Sequence, residues 1–182
     1  GHPYWGWRFS GLALHYIQDL TQPYHSSLAP GESTFQLISA NVLAMAGFPK
    51  RRDDFVVLLS NRHLALEKFQ NEAMVASAKA NTDSPLELAL RRLGLDIVYP
   101  PWTMLYARDV VALEAYVSSE RTVDTIVATM PAAFVSDPGF DFGVKESGID
   151  LSAEIEKKGP GKRAELEALV ADLLGRLGAA EP

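Results

Sequence analysis

The sequence predicts an all-α protein, a multi-helix bundle, and three observations carry that prediction. Apolar residues recur at helical spacing through most of the chain. No convincing strand pattern or internal repeat interrupts them. Proline and glycine stops fall between the periodic runs, at Pro23, at Gly47 with Pro49, and at Pro100-Pro101. Composition agrees. An apolar fraction of 47% over 182 residues is enough to fill a core.

Each element follows from local chemistry. Trp5 to Leu20 form a first helix that carries His15, and Pro23 breaks it. Ser33 opens a second helix that runs to about Ala46. A third and longest begins near Asp53 or Asp54, acids that suit a first turn, and continues to about Lys79. Ser84 then caps a helix with Pro85 at its first position, and Gly94 closes it. Further helices are expected over Thr103 to Ser119 and Thr122 to Phe134. Ser136 to Asp150, rich in Gly, Asp and Pro, reads as loop, with Ser152 capping a short turn. Residues 1–150 are expected to form the main helical domain. Residues 151–182 read as a charged hinge, Lys157 to Arg163, and an amphipathic tail with Leu166, Leu169, Val170, Leu173, Leu174 and Leu177 on one stripe.

Several classes fall away. The net charge of −6 advertises no basic face, so no duplex nucleic-acid partner is expected. With no cysteine there are no disulfides and no thiolate metal sites, so any zinc must use His, Asp or Glu. The longest apolar-leaning stretch, Phe35 to Phe48, falls short of the roughly 18 residues of a membrane span. A soluble or peripheral protein is expected. Phe35 to Phe48 reads as a buried bundle helix in preference to a lipid-docking one. Trp5, Trp7, Phe9 and Tyr16 read as core or pocket wall in preference to base-stacking side chains.

The chemistry concentrates in two places. His15 and Asp19 stand four apart and share one helix face, and His63 and Glu67 repeat that spacing in the long helix. His25 follows the bend at Pro23. Three of the four histidines lie in these clusters, while His2 stands near the start.

The string His15-Tyr16-Ile17-Gln18-Asp19-Leu20-Thr21-Gln22-Pro23-Tyr24-His25 resembles the signature of the bacterial zinc-dependent phospholipase C family and its relatives, the S1/P1-type nucleases. Both His, the Tyr, the Asp and the Pro match. Trp7 to Leu14 are similar to that family's lead-in helix, and His63-Leu64-Ala65-Leu66-Glu67 to its later His-x-x-x-Glu. Gln18 stands where the family carries Gly or Thr, Leu28 where it carries Asn, and the interval from His25 to His63 is long.

The resemblance implies a zinc-dependent phosphodiester hydrolase with up to three Zn2+ ions. It implies that His25, His63 and Glu67 form one zinc site and that His15 and Asp19 belong to a second, paired site. The remaining ligands of that pair lie upstream of the motif in the family. An N-terminally incomplete member is therefore expected here, one that is a poor enzyme by itself. The resemblance also implies an extracellular or periplasmic setting, a phospholipid substrate and peripheral membrane contact. Tyr16 (Phe in the nuclease branch) and Glu67 (Asp there) rank phospholipid head groups above single-stranded nucleic acid, as does the charge of −6. The alternatives are an S1/P1-type single-strand nuclease and a non-catalytic helical module whose His/acid pairs are structural.

Overall fold

The computed structural model describes residues 2–83, 85–91 and 98–180, and among them every regular element is helical. Helix α1 spans Pro3–Leu20, α2 Pro23–Ser26, α3 Thr34–Met45, α4 Lys50–Ala80 and α5 Pro85–Arg91. A π-helical segment, Ala107–Ala112, runs into α6, Leu113–Val117. Then come α7 (Ser119–Thr129), α8 (Ala132–Val135), α9 (Phe142–Lys145), a 3-10 turn (Glu146–Gly148), α10 (Leu151–Lys158) and α11 (Lys162–Ala180). Expected features at Ser84 and Gly94 lie outside the described residues, as do the side chains of Leu174 and Leu177.

The elements begin and end for recognisable reasons. Ser33 and Gln36 form a reciprocal capping box at the start of α3. The 31-residue α4 stops at Asn81, which takes the left-handed conformation that Asn tolerates better than most residues. Thr122 to Phe134 is not one helix. Met130 is extended because Pro131 disfavours helical backbone before it, so the chain breaks there and restarts as α8. Ser136 to Asp150 is more ordered than its composition suggests. Asp141 caps α9, which drives Phe142 into the interior. Asp150, not Ser152, caps α10 by accepting from the Ala153 N–H.

The core is organised around α4. Ala65, Leu66, Phe69 and Ala73 pack with Ile126 of α7, Met130, Phe134 and Val135 around α8, and Phe142 of α9. Leu151, Ile155, Leu166, Leu169 and Val170 join the same cluster, so residues on both sides of position 150 share one core. A smaller cluster joins Tyr106 and Val111 to Leu20 and Tyr99. Gly31 lets the α2–α3 loop approach α7. Its φ is +81°, and a Cβ there would sit 2.7 Å from Val123 Cγ1.

Two expectations of burial fail. No residue of α1 is buried, and Trp5, Trp7, Phe9 and Tyr16 are all exposed. In α3 only Ala40 is buried. In both helices the periodicity is helical, but periodicity alone does not say what lies opposite the apolar face. Among the described helices none is long and apolar enough to cross a membrane.

Candidate metal centre

The long helix α4 delivers two of the five expected metal-site side chains. Its buried face carries Asn61, Arg62, Ala65, Leu66 and Phe69. His63 and Glu67, one turn apart, therefore fall together at the edge of that face. His63 is half-buried, its side chain 26% exposed, and Glu67 opens further to solvent at 44%. The His63 Nε2 lies 2.9 Å from Glu67 Oε1.

The third side chain arrives from α2. Thr21 and Gln22 turn the chain after α1 through backbone bonds to Gln18 and Asp19, and Pro23 starts the next turn. The Ser26 hydroxyl donates to the Leu20 carbonyl across this corner. Gln22 donates from Nε2 to Gln70 Oε1, 3.1 Å away on α4, and so ties the turn to the helix bearing the other two groups. His25 is thereby held with Nε2 2.9 Å from His63 Nε2, the two rings nearly perpendicular at 84°.

The three donor atoms lie within 4.8 Å of one another, and among the described residues this is the one such group of three. A tetrahedral zinc with bonds of about 2.0–2.1 Å needs ligand atoms about 3.3 Å apart, inside the observed spread. Hydrogen-bond bookkeeping points the same way. His63 Nε2 meets both His25 Nε2 and Glu67 Oε1 at 2.9 Å, yet a neutral imidazole nitrogen carries one proton or offers one lone pair. If it donates to Glu67, it cannot also accept from His25. A cation takes lone pairs from all three at once.

His15 and Asp19 stay apart from this group. Their Nε2 and Oδ2 atoms are 3.4 Å apart on α1, with side chains 64% and 34% exposed. Among the described residues no third ligand joins them. The two side chains do share one helix face, as their spacing of four predicts.

Two neighbours escaped the sequence reading. The Tyr24 ring stacks on the His63 imidazole, 5.8 Å between centroids and 13° from parallel, which limits the imidazole's tilt. Its hydroxyl is buried without a hydrogen-bond partner among the described residues, and burial raises its pKa well above the ordinary tyrosine value, an effect the Arg62 charge opposes. Arg62 itself is buried. It donates from Nε to the Val135 carbonyl at 2.9 Å and faces Glu32 at 3.8 Å, which secures the loop after His25 against α4. Both residues sit beside a candidate ligand in the sequence, at positions 24 and 62. That adjacency was the available signal.

No family model matches the chain, and no curated protein or solved structure is found similar to it.

Proposed function

We propose that this chain is a zinc-dependent phosphodiester hydrolase of phospholipase C-like character, with its zinc held by His25, His63 and Glu67. One observation carries the reading: three ligating side chains from α2 and α4, up to 42 positions apart in sequence, converge on one point with competing hydrogen-bond demands. Zinc bound there would supply a Lewis acid for a phosphate oxygen and would lower the pKa of a bound water. Two imidazoles and one carboxylate match zinc's preference for borderline N/O donors and leave a fourth position free. The protein's own part is positional. Tyr24 limits the tilt of His63, the Gln22–Gln70 bond holds the α2 turn on α4, and the core face of α4 fixes the Glu67 spacing.

The S1/P1-type single-strand nuclease is the second reading, and one observation favours it. Trp5, Trp7, Phe9 and Tyr16 are exposed on α1, where aromatic faces can stack on unpaired bases. Parallel assays of the zinc-loaded protein on phosphatidylcholine vesicles and on single-stranded DNA separate the two. Faster release of phosphocholine supports the phospholipase reading, and faster release of nucleotides reverses it. Turnover is expected to be slow in either case. One zinc cannot clamp both the attacking and the leaving oxygen, and His15 with Asp19 lack a third ligand among the described residues. Zinc-free protein after loading and dialysis would reject both readings and leave a helical module with structural His/acid pairs.

A further inference from the structure

Helix α3 faces the wrong way for a bundle helix. Its half-buried residues are Gln36, Leu37, Ser39 and Ala44, beside the buried Ala40. Phe35, Ile38, Val42 and Met45 follow one another at intervals of three, four and three, so they line a single face. That face points outward, with Phe35 79% and Met45 89% exposed and Ile38 and Val42 more than half exposed. Phe48 continues the patch beyond the helix end. The twelve residues of α3 carry no charge, in a chain of net charge −6. An open groove of about 380 Å³ runs beside the patch, walled by Leu28, Leu37, Ile38, Val42, Met45 and Tyr116.

A basic corner adjoins this face. After Gly47, with φ +92°, and Pro49, the chain enters α4 through Lys50, Arg51 and Arg52, all exposed. Lys50 and Arg52 pair with Asp54 and Asp53, while Arg51 lies over the Phe55 ring and meets no carboxylate among the described residues.

We propose that the outward face of α3, together with the Lys50–Arg52 corner, docks on the surface of a phospholipid bilayer containing anionic lipid. An uncharged apolar stripe with basic residues just beyond its C-terminal end suits the boundary between acyl chains and head groups. The cationic corner meets the negative surface potential of such a membrane. A second copy of this chain fits less well. A twelve-residue helix spans about 18 Å, and one stripe of four side chains falls short of the roughly 20–30 residues that each partner of a stable dimer contributes. The proposal stands on α3 and its corner and makes no use of the metal centre.

The test is cosedimentation of the full chain with large unilamellar vesicles of phosphatidylcholine alone and of phosphatidylcholine mixed with phosphatidylserine. The protein should pellet with the mixed vesicles, less with the neutral ones, and less again as salt screens the basic corner. Phe35→Ser combined with Met45→Ser should weaken partitioning by tenfold or more, as expected for two exposed apolar side chains that lose their burial. Arg51→Gln should weaken it about fivefold on the mixed vesicles alone. Unchanged melting of the variants would show that the fold is intact. Failure of the wild-type chain to pellet, or equal pelleting of the double variant, overturns the proposal. So does a dimer that the double variant abolishes in the absence of vesicle binding, which would assign the face to a second copy. Pelleting that persists with zinc withheld separates this surface from the metal reading, whichever way the zinc measurement falls.

Discussion

Asn61 is the side chain whose loss should reveal most about how the site is supported. It lies two residues before His63 and is 1% exposed. Its Nδ2 donates to the Phe140 carbonyl at 2.6 Å, and its Oδ1 accepts from the Phe142 N–H at 2.9 Å. It thus fastens the segment after α8 to the middle of α4. Asn61→Ala removes both bonds and leaves two backbone groups without partners. The Phe142 N–H is fully enclosed and should incur the whole desolvation penalty, about 1–3 kcal/mol. The Phe140 carbonyl lies in a partly buried bond and can recover some hydration, so its loss adds about 1 kcal/mol. The expected total is about 2–4 kcal/mol, a large share of the roughly 5–15 kcal/mol available to a domain. Urea denaturation followed by far-ultraviolet circular dichroism measures it directly. Asn61→Asp should also destabilise, because it keeps the acceptor for Phe142 but sets an oxygen against the Phe140 carbonyl. A loss below about 0.5 kcal/mol for Asn61→Ala would refute the reasoning, since it would mean that this segment is not held by α4.

Three further outcomes follow from the same packing. On the proposed zinc reading, the wild-type chain should gain about 2.7 kcal/mol of stability at a hundredfold excess of zinc over its Kd, and His63→Ala should abolish both that gain, read as a rise in melting temperature, and stoichiometric zinc in elemental analysis. Tyr24→Phe should leave zinc content unchanged and be neutral or stabilising by up to about 1 kcal/mol in urea titrations, because it keeps the ring on His63 and deletes a buried hydroxyl without a partner. Lys158 donates to the Val127 and Met130 carbonyls, and burial first, then the Lys162 charge, lowers its pKa. The unfolded chain therefore binds more protons between that lowered value and the ordinary lysine value of 10.5, so stability should rise with pH through this window, and Lys158→Met should flatten the slope of urea midpoints against pH.

What the sequence made legible was local. The all-α class followed from periodicity, and two helix starts followed from Ser33 and Pro85. The pairing of His63 with Glu67 needed only the 3.6-residue turn, as did that of His15 with Asp19. The approach of His25 to His63 was expected from a family motif, and its physical support lay beyond local reading. That support is the Gln22–Gln70 bond, the Tyr24 stack and the Arg62 anchor, all contacts between α4 and distant chain. The exposed faces of α1 and α3 were illegible for the opposite reason. An apolar stripe looks the same in sequence whether it meets a core, a membrane or water, and hydrophobic periodicity records only that a face exists.

The contrast between the two His/acid pairs shows how the fold sorts similar local chemistry. Both pairs have the same spacing and both meet within hydrogen-bond or ion-pair range. His63 and Glu67 ride on a helix with seven buried residues, so core packing sets their positions before any ion arrives. His25 is held beside that same helix by the Gln22–Gln70 bond and the Tyr24–His63 stack, both made by residues just ahead of it in the chain. Metal binding at such a centre need not supply the free energy to order its ligands, and affinity benefits accordingly. His15 and Asp19 ride on a helix with no buried residue, and the His15 side chain is 64% exposed. A third ligand and the packing that orders all three on α4 therefore separate the two pairs, and zinc at limiting concentration should fill the site built on α4 first.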